Sequence, residues 1–136
     1  MCLNYSVECS SKLRSRMRKN GDKIVVYKVV YRSRSKRLYS RFFRDFYWKA
    51  GWNIAKLRHS DKKLYDKRPR IDGHAINSAI HVFLDEPVLS EYASPDVRIL
   101  KLTAHLKDLI GADVYREAAF RRVFLKKADY ERAIRS

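Results

Sequence analysis

Basic residues recur at every second position in two short runs near the start of the chain, 14–18 and 32–36. In an extended segment alternate side chains point to the same side, so each run could place a row of cations along a phosphate backbone. The sequence therefore predicts phosphate contacts in this region. The candidate residues are Arg14, Arg16, Arg18, Lys19, Arg32, Arg34, Lys36, Arg37, Arg41 and Arg44.

Aromatic residues are concentrated directly after the second run. Seven of the fifteen residues from Leu38 to Trp52 are aromatic. Nucleic-acid bases stack on exposed aromatic rings, which makes Tyr39, Trp48 and Trp52 candidates for base stacking. The same rings could instead form the core, because a small domain needs its large apolar groups inside.

Three ionisable residues sit in or at the start of segments that are otherwise apolar. Lys28 interrupts KIVVYKVVY, His81 interrupts AIHVFL, and Glu117 opens the last apolar segment. Lys28 could run its stem along an edge strand or point its ammonium into a pocket. His81 could be a hydrogen-bonded core residue or an acid/base group. If the sheet has a pocket, we expect Lys28 and His81 to line it together, with Glu117 as a third pocket or catalytic candidate.

The charge of the chain indicates an anionic partner. The 31 Lys and Arg residues exceed the 15 Asp and Glu residues and give a formal net charge of +16. Residues 1–70 carry 21 of the basic and 5 of the acidic residues, whereas residues 71–136 carry 10 of each. Such an excess is typical of proteins that bind nucleic acid. A small nucleotide or an acidic protein surface would also fit this composition.

Metal, cofactor and membrane functions are not expected. Cys2 and Cys9 lack the spacing of zinc ligands, and His59 and His74 are too far apart for a metal-binding pair. No apolar segment approaches the roughly 18 residues of a membrane span, and the start of the chain lacks the apolar segment of a signal peptide. We therefore expect a cytoplasmic protein with reduced thiols and no cofactor.

The periodicity of apolar residues predicts an α+β fold that positions these residues on a mainly antiparallel sheet of four to six strands, with a few short helices. We expect a single domain, 1–136, in which residues 1–22 form a basic segment that could be flexible. The predicted helices are 10–19 and 127–135, and the predicted strands are 23–31, 79–84, 97–106 and 117–125.

The remaining segments are less regular. Residues 38–52 fit a helix or a strand equally well. Residues 53–78 contain Pro69, Gly73 and many charges, which predicts a long loop with a helical turn near 54–57. One or two helical turns are expected at 88–93. A loop is expected through Gly111.

The motifs W-x-x-G-x-N, at residues 48–53, and I-H-V-F, at residues 80–83, resemble those of a family of small tailed-phage proteins, as does KDLIGA at 107–112. The resemblance covers about residues 24–125. It implies a phage origin, action in the cytoplasm of a bacterial host, and an accessory, host-takeover or anti-defence role.

A second resemblance is to ADP-ribosyltransferase-like folds, in which three strands surround a nicotinamide nucleotide. Lys28, His81 and Glu117 would fall at the places of the residues that contact it. The sequence departs from this pattern, because no His-Gly or Arg-Gly follows the first strand and no Ser-Thr-Ser strand is evident.

The leading hypothesis from the sequence is a non-enzymatic protein that binds DNA or RNA through its basic, aromatic-rich first half. One alternative is a sponge or an ADP-ribosyltransferase-like enzyme for a small nucleotide. A further alternative is an inhibitor that binds an acidic host or defence protein.

Overall fold

The computed structural model describes residues 3–40, 43–68, 70–92 and 94–135, without the side chains of 43–46. The described part contains three α-helices, which are α1 (Val7–Lys19), α2 (His59–Lys67) and α3 (Lys127–Arg135). Its strands are β1 (Leu3–Asn4), β2 (Lys23–Arg32), β3 (Leu38–Ser40), β4 (Phe43–Trp48), β5 (Gly51–Ile54), β6 (Ala75–Ile76), β7 (Ile80–Phe83), β8 (Val97–His105), β9 (Leu109–Ala112), β10 (Glu117–Phe120) and β11 (Arg122–Leu125). Short 3₁₀ helices lie at Leu89–Glu91 and Leu106–Asp108.

The longest strands, β2 and β8, pair antiparallel along their whole shared length, from Lys23 opposite His105 to Tyr31 opposite Val97. Both strands alternate, so one face of the pair is apolar and buried, as Val26 opposite Leu102 illustrates. The predicted strands at 23–31 and 97–106 are confirmed. Side chains an odd number of residues apart in a strand lie on opposite faces, so Tyr31 lies on the opposite face from Val26.

Within the described residues the main sheet has nine strands. Seven of them follow the order β5-β11-β8-β2-β7-β10-β9, while β3 pairs with β2 and β4 pairs with β3. The pairings in the sheet are antiparallel, which confirms the predicted α+β class. The sheet is larger than the four to six strands expected, because 38–52 contributes three strands, the segment through Gly111 contributes another, and 117–125 forms two. Two strands, β7 and β3, pair with different parts of β2 along the edge that β8 leaves open. Tyr27 pairs with β7, while Tyr31 and Arg32 pair with β3.

Helix α1 begins earlier than predicted and packs onto the sheet. The Ser6 hydroxyl accepts a hydrogen bond from the Cys9 amide and caps the helix. Leu13 and Met17, one turn apart, are buried in the main core. Asn20 ends the helix as predicted. This packing holds α1 against β9 and β2. The basic segment at 1–22 therefore contains a helix with one apolar, buried face.

The predicted loop at 53–78 differs from the structure. The predicted loop 53–78 contains α2, so the helical turn lies at 59–67 and not at 54–57. Asp61 is buried there and accepts hydrogen bonds from the amides of Asn77 and Ser78, which periodicity does not reveal.

The last strands also differ from the prediction. The segment through Gly111 is the buried strand β9, and the predicted strand 117–125 is two strands that separate at Arg121. The aromatic ring of Tyr5 packs against Gly111, where any larger residue would overlap it. A glycine in this strand therefore marks a close contact and not a loop.

Candidate nucleic-acid interface

A row of tyrosines crosses three neighbouring strands on one face of the sheet. Tyr31 of β2 lies opposite Tyr39 of β3, which lies opposite Tyr47 of β4. Residues directly opposite in antiparallel strands share a face. The rings of Tyr31 and Tyr39 stack with their centroids 5.9 Å apart and an interplanar angle of 29°. Three strands thus present one continuous aromatic strip.

A second segment stands beside this strip and turns it into a cleft of about 910 Å³. The segment begins at the 3₁₀ helix Leu89–Glu91 and continues through Tyr92. The cleft is lined by Tyr31, Ser33, Ser35, Arg37, Tyr39, Tyr47, Glu91, Tyr92, Ser94 and Val97. We call it the tyrosine cleft.

Tyr92 contributes a phenol that stays neutral at physiological pH. Burial raises its pKa above the usual value of 10, and the Glu91 carboxylate adds to that effect. The neutral hydroxyl can therefore both donate and accept a hydrogen bond at the cleft wall.

The turn between β2 and β3 contributes Arg37 to the lining of the cleft and carries Arg34 and Lys36 nearby in the chain. The Ser33 amide donates to the Arg37 carbonyl, and the Arg37 amide donates to the Ser33 hydroxyl, so the turn is closed. Arg34, Lys36 and Arg37 are exposed on it. The Arg37 guanidinium lies 5.1 Å from the centre of the Tyr47 ring. A cation and an aromatic ring thus meet at one place on this turn.

Arg14, Arg16 and Arg18 do not form the predicted row. They lie on α1, where alternate residues point to roughly opposite sides. Arg16 and Arg18 are exposed, as is Lys19. Arg14 is half-buried, and its Nη2 atom is buried without a hydrogen-bond partner among the described residues. The extended-segment reading of this run is wrong because the segment is helical.

Arg32, another predicted phosphate contact, does not line the cleft. Arg32 donates from Nη1 to the carbonyl of Ile134, 2.7 Å away, and so attaches the end of α3 to β2. This contact gives Arg32 a structural role. Arg41 and the side chain of Arg44 lie outside the described residues.

The three predicted stacking residues have different surroundings. Tyr39 lies in the tyrosine row. Trp48 is 3% exposed, and its indole Nε1 donates to the Ser40 hydroxyl at 2.9 Å, so its ring belongs to the core. Trp52 is half-buried beside His105 and Phe124, away from the cleft.

Tyr31, Tyr47 and Tyr92 also line the cleft. Tyr31 and Tyr47 belong to the aromatic residues near the basic runs that could stack on bases, although they were not selected as candidates, and Tyr92 was missed. The alternation in β2 already indicated that Tyr31 and Val30 face opposite sides. To place Tyr47 in the cleft, the register of β3 with β4 must be known. To place Tyr92 there, the position of the 3₁₀ segment must be known. Neither can be read from spacing alone.

Lys28, His81 and Glu117 lie on the neighbouring strands β2, β7 and β10. The ammonium Nζ of Lys28 donates to the main-chain carbonyl of His81 at 2.7 Å. Burial lowers the pKa of Lys28 to about 8, while the charge of Glu117 opposes this. Burial also raises the pKa of Glu117, and the Asp113 carboxylate adds to that effect.

The surroundings of the His81 side chain favour its neutral form. Burial lowers its pKa below 6.5, and the Lys28 charge adds to that effect. Its Nε2 atom is buried without a hydrogen-bond partner among the described residues. The tyrosine cleft is lined by none of the three pocket candidates.

Within the described ranges, no helix has the length and apolarity needed to cross a membrane, and no three His, Cys, Asp or Glu side chains are grouped to hold a metal ion. Comparison of the chain with protein-family models, with curated protein sequences and with solved structures found no match. The site must therefore be interpreted from its own geometry.

Proposed function

We propose that the protein binds single-stranded nucleic acid in the tyrosine cleft, in the cytoplasm and without catalysing a reaction. The observation that carries this proposal is the cross-strand row of Tyr31, Tyr39 and Tyr47 beside the exposed cations of the 33–37 turn. Aromatic rings on a sheet face receive unpaired bases, and the cations contact the phosphates between them.

The cleft favours single strands over duplexes. Base faces are accessible to tyrosine rings only when the bases are unstacked, because a duplex hides them between neighbouring pairs. Stacking does not read hydrogen-bonding edges, so we expect weak sequence preference. The exposed Arg34, Lys36 and Arg37 add a salt-dependent contribution that is independent of sequence.

Replacement of a ring in the row tests the proposal. Tyr47 is 49% exposed and can lose its side chain without opening the core. Loss of one stacked base costs about 1–3 kcal/mol, so Tyr47→Ala should weaken the binding of a fluorescent single-stranded oligonucleotide about 5- to 150-fold.

Tyr115 provides the matched control, because it is 79% exposed and does not line the cleft. Tyr115→Ala should bind as tightly as the unmodified protein. Equal losses in Tyr47→Ala and Tyr115→Ala, or no loss in either, would contradict the cleft as the binding site. Binding of a duplex with the affinity of its single strand would contradict the stacking argument.

A small nucleotide is the second candidate ligand, and the size of the cleft favours it. Small-molecule sites typically occupy about 300–1,000 Å³, and the tyrosine cleft has about 910 Å³. Thermal unfolding with mono-, di- and cyclic nucleotides separates the two ligands. A nucleotide at 100 times its dissociation constant should add about 2.7 kcal/mol of stability. No effect from any nucleotide, together with stabilisation by oligonucleotides, would exclude this candidate.

A further inference from the structure

A buried carboxylate holds two consecutive arginines at the junction of β10 and β11. Asp108 is fully buried, and its Oδ1 accepts from Nε of Arg121 at 2.7 Å while its Oδ2 accepts from Nε of Arg122 at 2.9 Å. The two arginine side chains remain 39% and 24% exposed, respectively. One carboxylate therefore orients two guanidinium groups that both reach the surface.

Each guanidinium also lies on an aromatic ring. The Arg121 group is 5.0 Å from the centre of the Tyr65 ring, and the Arg122 group is 4.1 Å from the centre of the Trp52 ring. Stacking and the Nε hydrogen bond restrict both side chains. The Nη atoms of both arginines make no hydrogen bond to the described residues, which leaves these donors for a ligand.

These arginines line a cleft of about 510 Å³ on the surface beside α2. Lys62 adds a third cation to the lining of this cleft, and Asp66 adds a carboxylate to the same lining. With buried Asp108 included, three cations oppose two carboxylates, so the cleft keeps a net positive charge. The lining is Ile54, Ala55, Leu57, Lys62, Tyr65, Asp66, Arg121 and Arg122, which we call the arginine cleft.

We propose that the arginine cleft binds a phosphate group. Guanidinium groups match phosphate oxygens because their planar N–H donors contact two oxygens at once, and fixed side chains lose little entropy on binding. The phosphate could belong to a nucleic acid, as a terminal phosphate, or to a free phosphate monoester. This site is separate from the tyrosine cleft, and the proposal does not rest on the function proposed for that cleft.

Inorganic phosphate is the probe for this site, and tryptophan fluorescence is the readout. Trp52 contacts Arg122, whereas Trp48, the other tryptophan of the chain, is buried in the core. We expect a saturable change in fluorescence on titration with phosphate, compared with chloride at equal ionic strength. Absence of a saturable change would overturn the proposal.

Variants assign the signal to the arginines. A double variant, Arg121→Lys with Arg122→Lys, keeps two positive charges beside Asp108 but removes the planar guanidinium groups. Its affinity for phosphate should fall at least about tenfold. Arg116→Lys is the matched control, because Arg116 pairs with Asp85 on the surface away from this cleft. Equal affinities in both variants would overturn the proposal.

A second variant tests the proposal even if the arginine double variant does not fold. Lys62 is exposed, so Lys62→Gln leaves the fold unchanged and should weaken phosphate binding several-fold. Unchanged binding in both Lys62→Gln and a folded arginine variant would overturn the proposal.

Oligonucleotides with a 5′-phosphate or a 5′-hydroxyl then separate the two sources. Tighter binding of the phosphorylated strand, lost in the arginine variant, identifies a nucleic-acid terminus. The two strands could instead bind equally while the protein still responds to phosphate and to nucleoside monophosphates. That result identifies a free phosphate monoester as the ligand of the arginine cleft. Loss of the phosphate response alone overturns this inference, whereas loss of oligonucleotide binding alone overturns the function proposed for the tyrosine cleft.

Discussion

Replacement of Lys28 by methionine should stabilise the protein at neutral pH. By alternation Lys28 points to the same side of β2 as Val26 and Val30, which are buried. Burial lowers the pKa of Lys28 from 10.5 to about 8. Because one pKa unit corresponds to about 1.4 kcal/mol, the charged ammonium destabilises the folded state by about 3 kcal/mol below pH 8. Loss of the hydrogen bond to the His81 carbonyl offsets about 1 kcal/mol, so Lys28→Met should gain about 2 kcal/mol.

The gain should depend on pH in a defined direction. Between pH 8 and 10.5 the unfolded chain keeps the Lys28 proton that the folded protein has released, so the stability of the unmodified protein rises with pH. The advantage of Lys28→Met should therefore be largest below pH 8 and disappear as the pH approaches 10.5. Urea unfolding at pH 7 and pH 10 measures this difference. Lys101→Met, an exposed lysine on the paired strand β8, is the control and should change stability by less than about 0.5 kcal/mol.

A Lys28→Met protein that is no more stable than the unmodified protein at pH 7 would refute this reasoning. A stability difference that is the same at both pH values would refute it as well, because the effect is assigned to the charged form.

Three other substitutions test the packing around the site. Gly111→Ala should lose about 1–3 kcal/mol in urea unfolding because its Cβ would overlap the Tyr5 ring, and unchanged stability would contradict that contact. His81→Ala should lose about 1–3 kcal/mol while oligonucleotide affinity per folded molecule stays constant, and lost affinity at normal stability would instead favour a pocket. Asp108→Asn removes the charge that Arg121 and Arg122 share and should lose about 1–3 kcal/mol in the same assay, whereas unchanged stability would show that these ion pairs do not stabilise the fold.

The central strands were predictable from two different signals. Leu100, Leu102, Ala104 and Leu106 alternate with more polar residues in 97–106, whereas 23–31 is a Val- and Tyr-rich apolar segment too short for a buried helix. Pairing of these strands positions Tyr31 on the open face. The strand character of 38–52 was not predictable, because seven aromatic residues fit either structure. Their pairing with β2 decides it, and pairing is a long-range property.

The candidate site was predicted only in part. The cations of the 33–37 turn and Tyr39 follow from composition and order. Arg14, Arg16 and Arg18 do not form the predicted phosphate row, because their segment has the helical period of 3.6. The helix predicted at 10–19 was already incompatible with that row. The arginine cleft was missed entirely, since Asp108 reaches Arg121 and Arg122 only after β9 and β10 have paired.

The salt dependence of oligonucleotide binding tests the central proposal most directly. A triple variant with Arg34, Lys36 and Arg37 replaced by glutamine removes the exposed cations of the turn. Because each phosphate contact to a single strand contributes about 0.7 to the slope of log affinity against log salt, the slope should fall by about 2 in this variant.

The charge-matched control replaces Lys126, Lys127 and Arg135, which are exposed and lie outside the tyrosine cleft. Its slope should stay close to that of the unmodified protein. Equal slopes for the two triple variants, or an affinity of the unmodified protein that is the same at low and physiological salt, would contradict binding of nucleic acid at the tyrosine cleft.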